Sequence, residues 1–518
     1  MSWKPEVEGI ERRRELAGEH GGREAVERQH ARGRLTVRER IAALLDPGSF
    51  REEGGIAGQS ELDAQGRVLS FRPANVVVGV GRIEGRPVVV CGDDFTVAGA
   101  SYSQLGLQKA AWADQQAARR RLPLVRLLEA GGARITGASG ARGRSGYNLT
   151  SDTKNNLPLV ETLATVPVVA AALGPVAGFP AAKLVASHLS LMTRGTSQVL
   201  VGGPALVERA LGEKVSKEEL GGAEVQLRNG VVDNAASDEA DAFRQIRAFL
   251  GYLPGSVFEP PPRALAGDPP EREEEALLAI VPRNRRRAYK MRRLVELVVD
   301  RGSFFEMGAL YGRTQITGLA RLDGHPVGIL ANDPMIYGGA MTADGARKVR
   351  RFVDLCDAFH LPVVSFMDEP GFAIGVEAER AGTIRHGVQA LFAVLQAEVP
   401  WFTLVVRKSF GVAAGIHLGP GCTAVAWPSA EFGAMPVEGG VAIGFRREIE
   451  AAPDPEARRR ELEDEIAAAQ SVFPRAEEFG VHDLIDPRKT RPLLCTWLAE
   501  VQPQLRGLGA PRRTTLRP

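Results

Sequence analysis

At 518 residues the chain exceeds what a single core fills, so two or more domains are expected. Its 44% hydrophobic and 25% charged residues are those of a soluble globular protein, and 58 glycines beside 6% aromatics point to tight turns and close backbone packing. The formal net charge of +2 gives no reason to expect nucleic acid or an anionic membrane as partner. Four widely separated cysteines, Cys91, Cys356, Cys422 and Cys495, lack metal-ligand spacing and fit a reducing, cytoplasmic setting with no metal in this chain.

Residues 1–30 read as an N-terminal helical extension; the opening Met1-Ser2-Trp3-Lys4-Pro5 soon meets Arg12-Arg13-Arg14 and shows no secretory apolar region. A domain over 31–255 follows. It contains a hairpin-like stretch from Asn75 to Val90, a helix from about Ser103 to Arg120, and a short apolar strand, Leu124 to Leu128, before Gly131-Gly132. The uncharged stretch from Thr162 to Ala182 is no membrane span, because Pro167, Gly174, Pro175, Gly178 and Pro180 interrupt it. It predicts a buried strand from Val166 to Leu173, a special turn and a helix. Residues 256–284, with Pro260-Pro261-Pro262, Pro269-Pro270 and an acidic run, read as a linker. A second domain, 285–518, repeats the order: hairpin Gln315 to Leu330, helix Thr342 to Phe359, strand Val363 to Met367, then Pro370-Gly371. The basic runs Arg119 to Arg121 and Arg283 to Arg287 read as solvated faces.

The repetition is long and holds register. Leu45-Asp46-Pro47-Gly48-Ser49-Phe50 returns as Val299-Asp300-Arg301-Gly302-Ser303-Phe304. Arg82 to Val88 returns as Arg321 to Val327, and Arg121 to Val125 as His360 to Val364, both 239 residues on; that offset also places Gly132 on Gly371. Val166-Pro167 matches Val399-Pro400, and Gly178 matches Gly411, at an offset of 233. Alternating strands and helices within each half imply an α/β layered fold with right-handed crossovers.

Two turns could carry chemistry. The strand before Gly174-Pro175-Val176-Ala177-Gly178-Phe179-Pro180, and the strand Phe402 to Val406 before Arg407 to Gly415, each pass through glycine towards a helix. Such a turn exposes backbone N–H groups at a helix N-terminus, suited to negative charge developing on oxygen. A well-placed donor contributes roughly 3–4 kcal/mol to an oxyanion in the transition state. A glycine-rich turn is often a plain packing device, but its occurrence at the matching place in both halves suggests two facing sites for two carbonyl compounds. No phosphate loop, nucleophile elbow or His-Glu-x-x-His is present. His386 reads as a capping or packing residue, and Asp368-Glu369 as ordering a loop or touching substrate. Glu431, Glu438 and Asp368 are too scattered for a metal site.

At these residues the chain resembles the carboxyltransferase β subunits of propionyl-CoA, methylcrotonyl-CoA and acetyl-CoA carboxylases, and the related decarboxylase and transcarboxylase subunits. The matching pieces include Gly33 to Arg40, Leu44 to Phe50, Asp94 to Val97, Gly131-Gly132-Ala133-Arg134-Ile135 and Glu219 to Ala223. Phe352 to Phe359, Pro370-Gly371-Phe372, Ile384 to Gly387 and Trp427 to Glu431 continue the match in the second half. The resemblance implies tandem crotonase-like domains, with acyl-CoA held by the first half and biotin by the second half of another subunit, in a hexameric ring of dimers. It implies that Gly178 and Phe179 donate N–H groups to the thioester enolate, and that Val412 and Ala413 hold the ureido oxygen of biotin. Gly131, Gly132, Ala133, Gly371, Phe372, Gly411 and Gly415 would line the two ligands. Carboxybiotin would release CO₂ and the biotin would take the α-proton, so no side-chain base is required. No biotin-attachment tetrapeptide or ATP-grasp domain is visible, so biotin carboxylase and carrier functions fall to a partner chain. The family commonly has Gly-Gly at Gly178-Phe179 and further glycine at Gly411-Val412-Ala413, which leaves the acyl group and the reaction direction open. A decarboxylase or transcarboxylase of the same fold, and a non-catalytic assembly subunit, are the alternatives.

Overall fold

A computed structural model describes residues 2–101, 103–132, 157–265, 267–285, 287–469 and 471–508. Its contacts define two compact units, with the division between Glu259 and Pro260. The first contains β1 (Arg51–Glu53), β2 (Gly58–Leu62), β3 (Val68–Pro73), β4 (Val76–Ile83), β5 (Arg86–Asp93), β6 (Leu124–Ala130), β7 (Val168–Ala177), β8 (Leu189–Thr193), β9 (Gln198–Leu200) and β10 (Asn234–Ala236). Their main sheet runs β1-β4-β5-β6-β7-β8-β10, with β9 on β7 and β2–β3 as a separate hairpin. The second contains β11 (Phe305–Met307), β12 (Gln315–Leu322), β13 (His325–Asn332), β14 (Val363–Glu369), β15 (Trp401–Phe410), β16 (Thr423–Ala426), β17 (Glu431–Gly433) and β18 (Asp483–Leu484). Its sheet runs β11-β12-β13-β14-β15-β16-β18, with β17 on β15. Strand for strand this is the same α/β topology: antiparallel at the hairpin edge and parallel from β5 or β13 onward.

Local chemistry accounts for the repetition. The β4–β5 hairpin turns at Glu84 (φ 51°) and Gly85 (φ 78°), and the β12–β13 hairpin at Asp323 (φ 50°) and Gly324 (φ 75°). Two consecutive left-handed residues are what a tight hairpin needs to match strand twist. The Asp46 carboxylate accepts the N–H groups of Glu84 and Gly85 at 3.0 and 2.8 Å, and Asp300 those of Asp323 and Gly324 at 3.1 and 2.8 Å. The repeated Asp-x-Gly-Ser-Phe motif therefore caps a hairpin. The long helices Gln104–Arg120 and Ala343–Ala358 are each started by a hydroxyl, Ser103 and Thr342, accepting at 3.0 Å from Gly106 and Gly345.

Strand ends run past expectation. β6 and β14 continue to Ala130 and Glu369, carrying acidic residues into the interior, and β7 continues to Ala177 instead of stopping at Leu173. Gly174-Pro175 does not break β7, because Pro175 lies opposite Gln198 of β9 and pairing carries the strand onward. A Cβ at Gly174 would sit 2.4 Å from Cδ of Glu129, so that glycine makes room for a buried carboxylate.

The proline-rich segment after Pro260 is strapped to the second unit. Arg272 donates to the carbonyls of Leu297 and Val299 at 2.8 Å, Arg491 bonds the Asp268 carbonyl and the Asp300 carboxylate, and Leu277 is buried. The acidic run is matched by base: Glu273 with Lys489, Glu274 with Arg272, and Glu275 with Arg488. The core of this unit places Ile316, Ile329, Phe366, Phe402 and Trp427 against Trp497 and its neighbours, with the Phe402 and Trp497 rings edge-on at 5.3 Å. In the first unit Val76, Val89, Leu124 and Val168 pack on the alanine face of the helix at Ala110, Ala113 and Ala117. Among the described residues no helix is long and apolar enough to cross a membrane.

Candidate functional site

β7 and β15 end at the same device. Gly178 has φ 68° and ψ −134°, and Gly411 φ 64° and ψ −162°, a region open essentially to glycine alone. Behind them start the helix Phe179–Ala186 and the 3₁₀ helix Val412–His417. The glycine N–H groups themselves are occupied: Gly178 donates to the Leu200 carbonyl and Gly411 to the Gly433 carbonyl, each at 3.3 Å. The Gly178 N–H, expected to face a ligand, here meets the Leu200 carbonyl of β9. The helical ladder begins with Ala182 N–H to Gly178 O at 3.1 Å, so the N–H groups of Phe179 and Ala181 precede it, and Pro180 has none. In a 3₁₀ helix the third residue is the first ladder donor, which leaves the N–H groups of Val412 and Ala413 outside the ladder. Phe179 (37% exposed) and Val412 (62% exposed) are not among the described residues with positive φ. Neither position requires the glycine that the resemblance leads one to expect there, because the strained angle falls one residue earlier.

The other expected site residues gather round these turns within their own units. Gly132 has φ 84° and lies against the Gly178 turn, where a Cβ on Gly178 would be 3.8 Å from its Cα; Gly131 N–H bonds the Gly99 carbonyl at 3.1 Å. Ala133 lies outside the described residues. Gly371 has φ 118°, and a Cβ there would be 4.0 Å from the Phe410 carbonyl. Phe372 bridges to Met341, and its ring fills the space that a Cβ on Gly387 would need. Gly415 serves packing, since a Cβ there would lie 3.3 Å from Leu391 Cδ1. His386 takes part in neither turn, bonding Arg347 at 2.7 Å and Gln389 at 3.1 Å.

Under the turns lies a layer of buried charge that sequence reading found only in part. Glu129, 0% exposed, receives Gln29 and Arg34 at 2.6 Å and Arg40 at 2.7 Å, while Arg40 also grips Glu239 through two bonds of 2.9 and 2.8 Å. Asp114 lies between Arg126 (2.5 Å) and Lys183 (3.0 Å); burial raises its carboxyl, but the two cations outweigh that and hold it below the usual range. Among the described residues no cation forms an ion pair with Asp93, and burial pushes it up to about 7. In the second unit Asp368 takes Arg407 at 3.0 Å, the Tyr289 hydroxyl at 3.0 Å and the Lys408 N–H at 3.1 Å. Asp368-Glu369 thus orders the loop, and Glu129, at the matching offset, was the readable signal for the first-unit layer. A cavity of about 500 Å³ adjoins the Gly411 turn, lined by Arg285, Pro334, Gly338, Lys408, Phe410 and Glu431. Among the described residues no cluster of three metal-ligating side chains occurs.

Backbone donors that precede the helical ladder, behind a glycine at the C-terminal ends of parallel strands in two like units, are an arrangement suited to stabilising an oxyanion in an α/β enzyme fold. Residues 28–512 match the carboxyl transferase domain. The chain is 35% identical over 497 residues to the propionyl-CoA carboxylase carboxyltransferase subunit of Haloferax mediterranei, covering 95% of each. It is 34% identical over 486 residues to the methylmalonyl-CoA decarboxylase subunit alpha of Veillonella parvula, covering 92% of each. The transcarboxylase 12S crystal structure, a hexamer with methylmalonyl-CoA bound, superposes with a TM-score of 0.87 at 32% identity over 97% of this chain and 96% of that one. The chain belongs to the carboxyl transferase family, among the carboxyltransferase subunits of propionyl-CoA carboxylase type enzymes. The tandem crotonase-like fold expected from the resemblance is borne out.

Proposed function

We propose that this chain moves a carboxyl group between biotin carried on a partner chain and the α-carbon of a short acyl-CoA, the propionyl/methylmalonyl pair being the first candidate. The observation that carries this is the repetition of one turn, Gly178 and Gly411, with orphan N–H groups directly behind each. In the first domain, 31–255, Phe179 and Ala181 N–H would face the thioester oxygen and take up the charge that appears there when the α-proton leaves. Gly131 and Gly132 would bring backbone close to the same ligand. In the second domain, 285–518, Val412 and Ala413 N–H would hold the biotin ureido oxygen, with Gly371 and Phe372 alongside. The ureido carbonyl is a hydrogen-bond acceptor, so a pair of backbone donors fits it. Biotin, when bound, supplies the carboxyl group at its ureido nitrogen. A carrier-bearing biotin carboxylase is the expected partner, in a cytoplasmic setting and with a hexamer of this chain, as in the transcarboxylase neighbour.

The test is incorporation of labelled bicarbonate into a panel of acyl-CoAs by this protein with a biotinylated partner, ATP and magnesium. Label in one thioester, lost when the partner is omitted, supports the proposal and names the substrate. Loss of CO₂ from methylmalonyl-CoA without incorporation in any thioester would move the assignment to the decarboxylase direction.

A further inference from the structure

Beneath the Gly411 turn runs a buried polar chain that the first unit does not repeat. His417 Nδ1 meets Ser365 Oγ at 2.8 Å, and His417 Nε2 faces Glu369 Oε2 at 3.4 Å. Asn332 Nδ2 donates to the same oxygen at 2.9 Å, and Glu369 Oε1 accepts the Gly371 N–H at 3.0 Å. Ser365, Glu369, His417 and Asn332 are all 0% exposed. With the ring proton on Nε2, the imidazole donates to Glu369 and accepts from the Ser365 hydroxyl, which satisfies every member. The order of groups resembles a hydrolase triad, but no acyl carbonyl reaches a serine of zero exposure.

At the matching offsets the first unit has Arg126 for Ser365, Ala130 for Glu369 and Leu184 for His417. At the last two of these positions the first unit thus has an alanine and a leucine where the second has a carboxylate and an imidazole. Burying a carboxylate against an imidazole costs free energy even when the two are bonded, so this pair beneath the second turn calls for a role specific to it. Geometry supplies one. His417 is the last residue of the 6-residue 3₁₀ helix whose first residues present the Val412 and Ala413 N–H groups. Its carbonyl is fixed as well, accepting from Trp401 Nε1 at 2.8 Å and Thr403 Oγ1 at 2.6 Å. Glu369, through its two oxygens, joins that helix to Gly371, whose φ of 118° sets the neighbouring loop.

We infer that Glu369 and His417 are positioning residues: together they lock the Gly371 loop to the helix Val412–His417 and so aim the donors of the biotin-side turn. This rests on reading that turn as the biotin side. In Glu369→Gln one oxygen becomes an NH₂ group facing either the Gly371 N–H or the Asn332 NH₂, so the lock loses a bond on one side. Ser365→Ala is the gentler variant, removing only the bond behind the imidazole.

The experiment uses the full chain with its biotinylated partner, measuring kcat, KM for the partner, the acyl-CoA dissociation constant, and hydrogen exchange of residues 411–417. Glu369→Gln is expected to lower kcat by at least about tenfold, the scale on which misplaced groups lose rate. Exchange at 411–417 should quicken while acyl-CoA binding stays as in the wild type. Ser365→Ala should show the same pattern at about fivefold, the scale of one hydrogen bond; if Glu369→Gln does not fold, it decides the matter alone. Wild-type kcat and exchange in a variant with merely lowered Tm would overturn the inference, as would weakened acyl-CoA binding in step with kcat. A wild type that binds acyl-CoA but transfers no carboxyl group refutes the proposed function instead, and the exchange comparison still decides the lock.

Discussion

Replacing Gly411 by alanine tests the turn at its most constrained atom. At φ 64° and ψ −162° the residue occupies a region that costs an L side chain about 1–3 kcal/mol. The new methyl group would also lie 3.3 Å from the Ala434 carbonyl oxygen, tighter than ordinary contact. If the turn keeps its shape, the strain lowers stability, and a unit of this size loses about 2–4 °C of Tm per kcal/mol, giving a fall of about 2–12 °C with kcat preserved. If the backbone instead relaxes towards negative φ, the 411–412 peptide rotates and takes the Val412 N–H with it. Loss of one oxyanion donor then lowers kcat by about 10²–10³-fold. Gly178→Ala has the same angular strain but open space, its nearest neighbour being 3.8 Å away, so it should lose less Tm. Labelled-bicarbonate turnover and scanning calorimetry on both variants separate the two responses. A Gly411→Ala protein with wild-type Tm and wild-type kcat would refute the claim that these glycines are held in place by backbone geometry.

Arg40→Met removes the shared cation of two buried carboxylates, Glu129 and Glu239, and should destabilise the protein by about 3–5 kcal/mol in urea titration; a change below about 1 kcal/mol would contradict the buried-pair reading. Asp93 predicts a pH signature: because burial raises its carboxyl to about 7 from 3.8, the folded chain keeps a proton that the unfolded chain releases, so its contribution is full near pH 4 and is lost as pH rises to about 7. Asp93→Asn, which installs the amide present as Asn332 at the matching position, should gain stability relative to wild type as pH rises through 4–7, and a pH-independent difference would count against it. Phe179→Ala, at a ring half-exposed behind the first turn and 5.3 Å from Lys183 Nζ, should cost no more than about 1 kcal/mol while raising kcat/KM for longer acyl-CoAs relative to propionyl-CoA; an unchanged ratio would show that the ring does not border the acyl group.

Most of the fold was legible because its signals are local. Glu84-Gly85 and Asp323-Gly324 announce the hairpins, Ser103 and Thr342 announce the helices, and equal offsets announce the duplication. The end of β7 was misplaced for a tertiary reason: Gly174-Pro175 reads as a breaker until β9 lies beside it. The proton of Gly178 was assigned to a ligand for the same reason, its acceptor being a strand 22 residues away in sequence. How the proline-rich segment is held could not be read from the sequence, because Arg272 reaches Leu297 and Val299, and Arg491 reaches Asp268, only in three dimensions. The charge layer was least legible: Arg40 and Glu239 stand 199 residues apart, and no spacing rule joins them.

That layer also shows where two copies of one fold part company. Backbone requirements are kept at both turns: glycine at the strained angle, its N–H paired to a short edge strand, and free donors behind it. The support beneath is not kept. Under the first turn the Glu129 carboxylate is matched by Arg34 and Arg40; under the second, Asp368 has Arg407 while Glu369 is met by an imidazole, an amide and a backbone N–H. Burial raises the Glu369 carboxyl, and its hydrogen bonds only partly oppose that rise, whereas two guanidinium groups lie against Glu129. Two backbone sites of the same shape are in this way given different electrostatic surroundings by side chains that are largely buried.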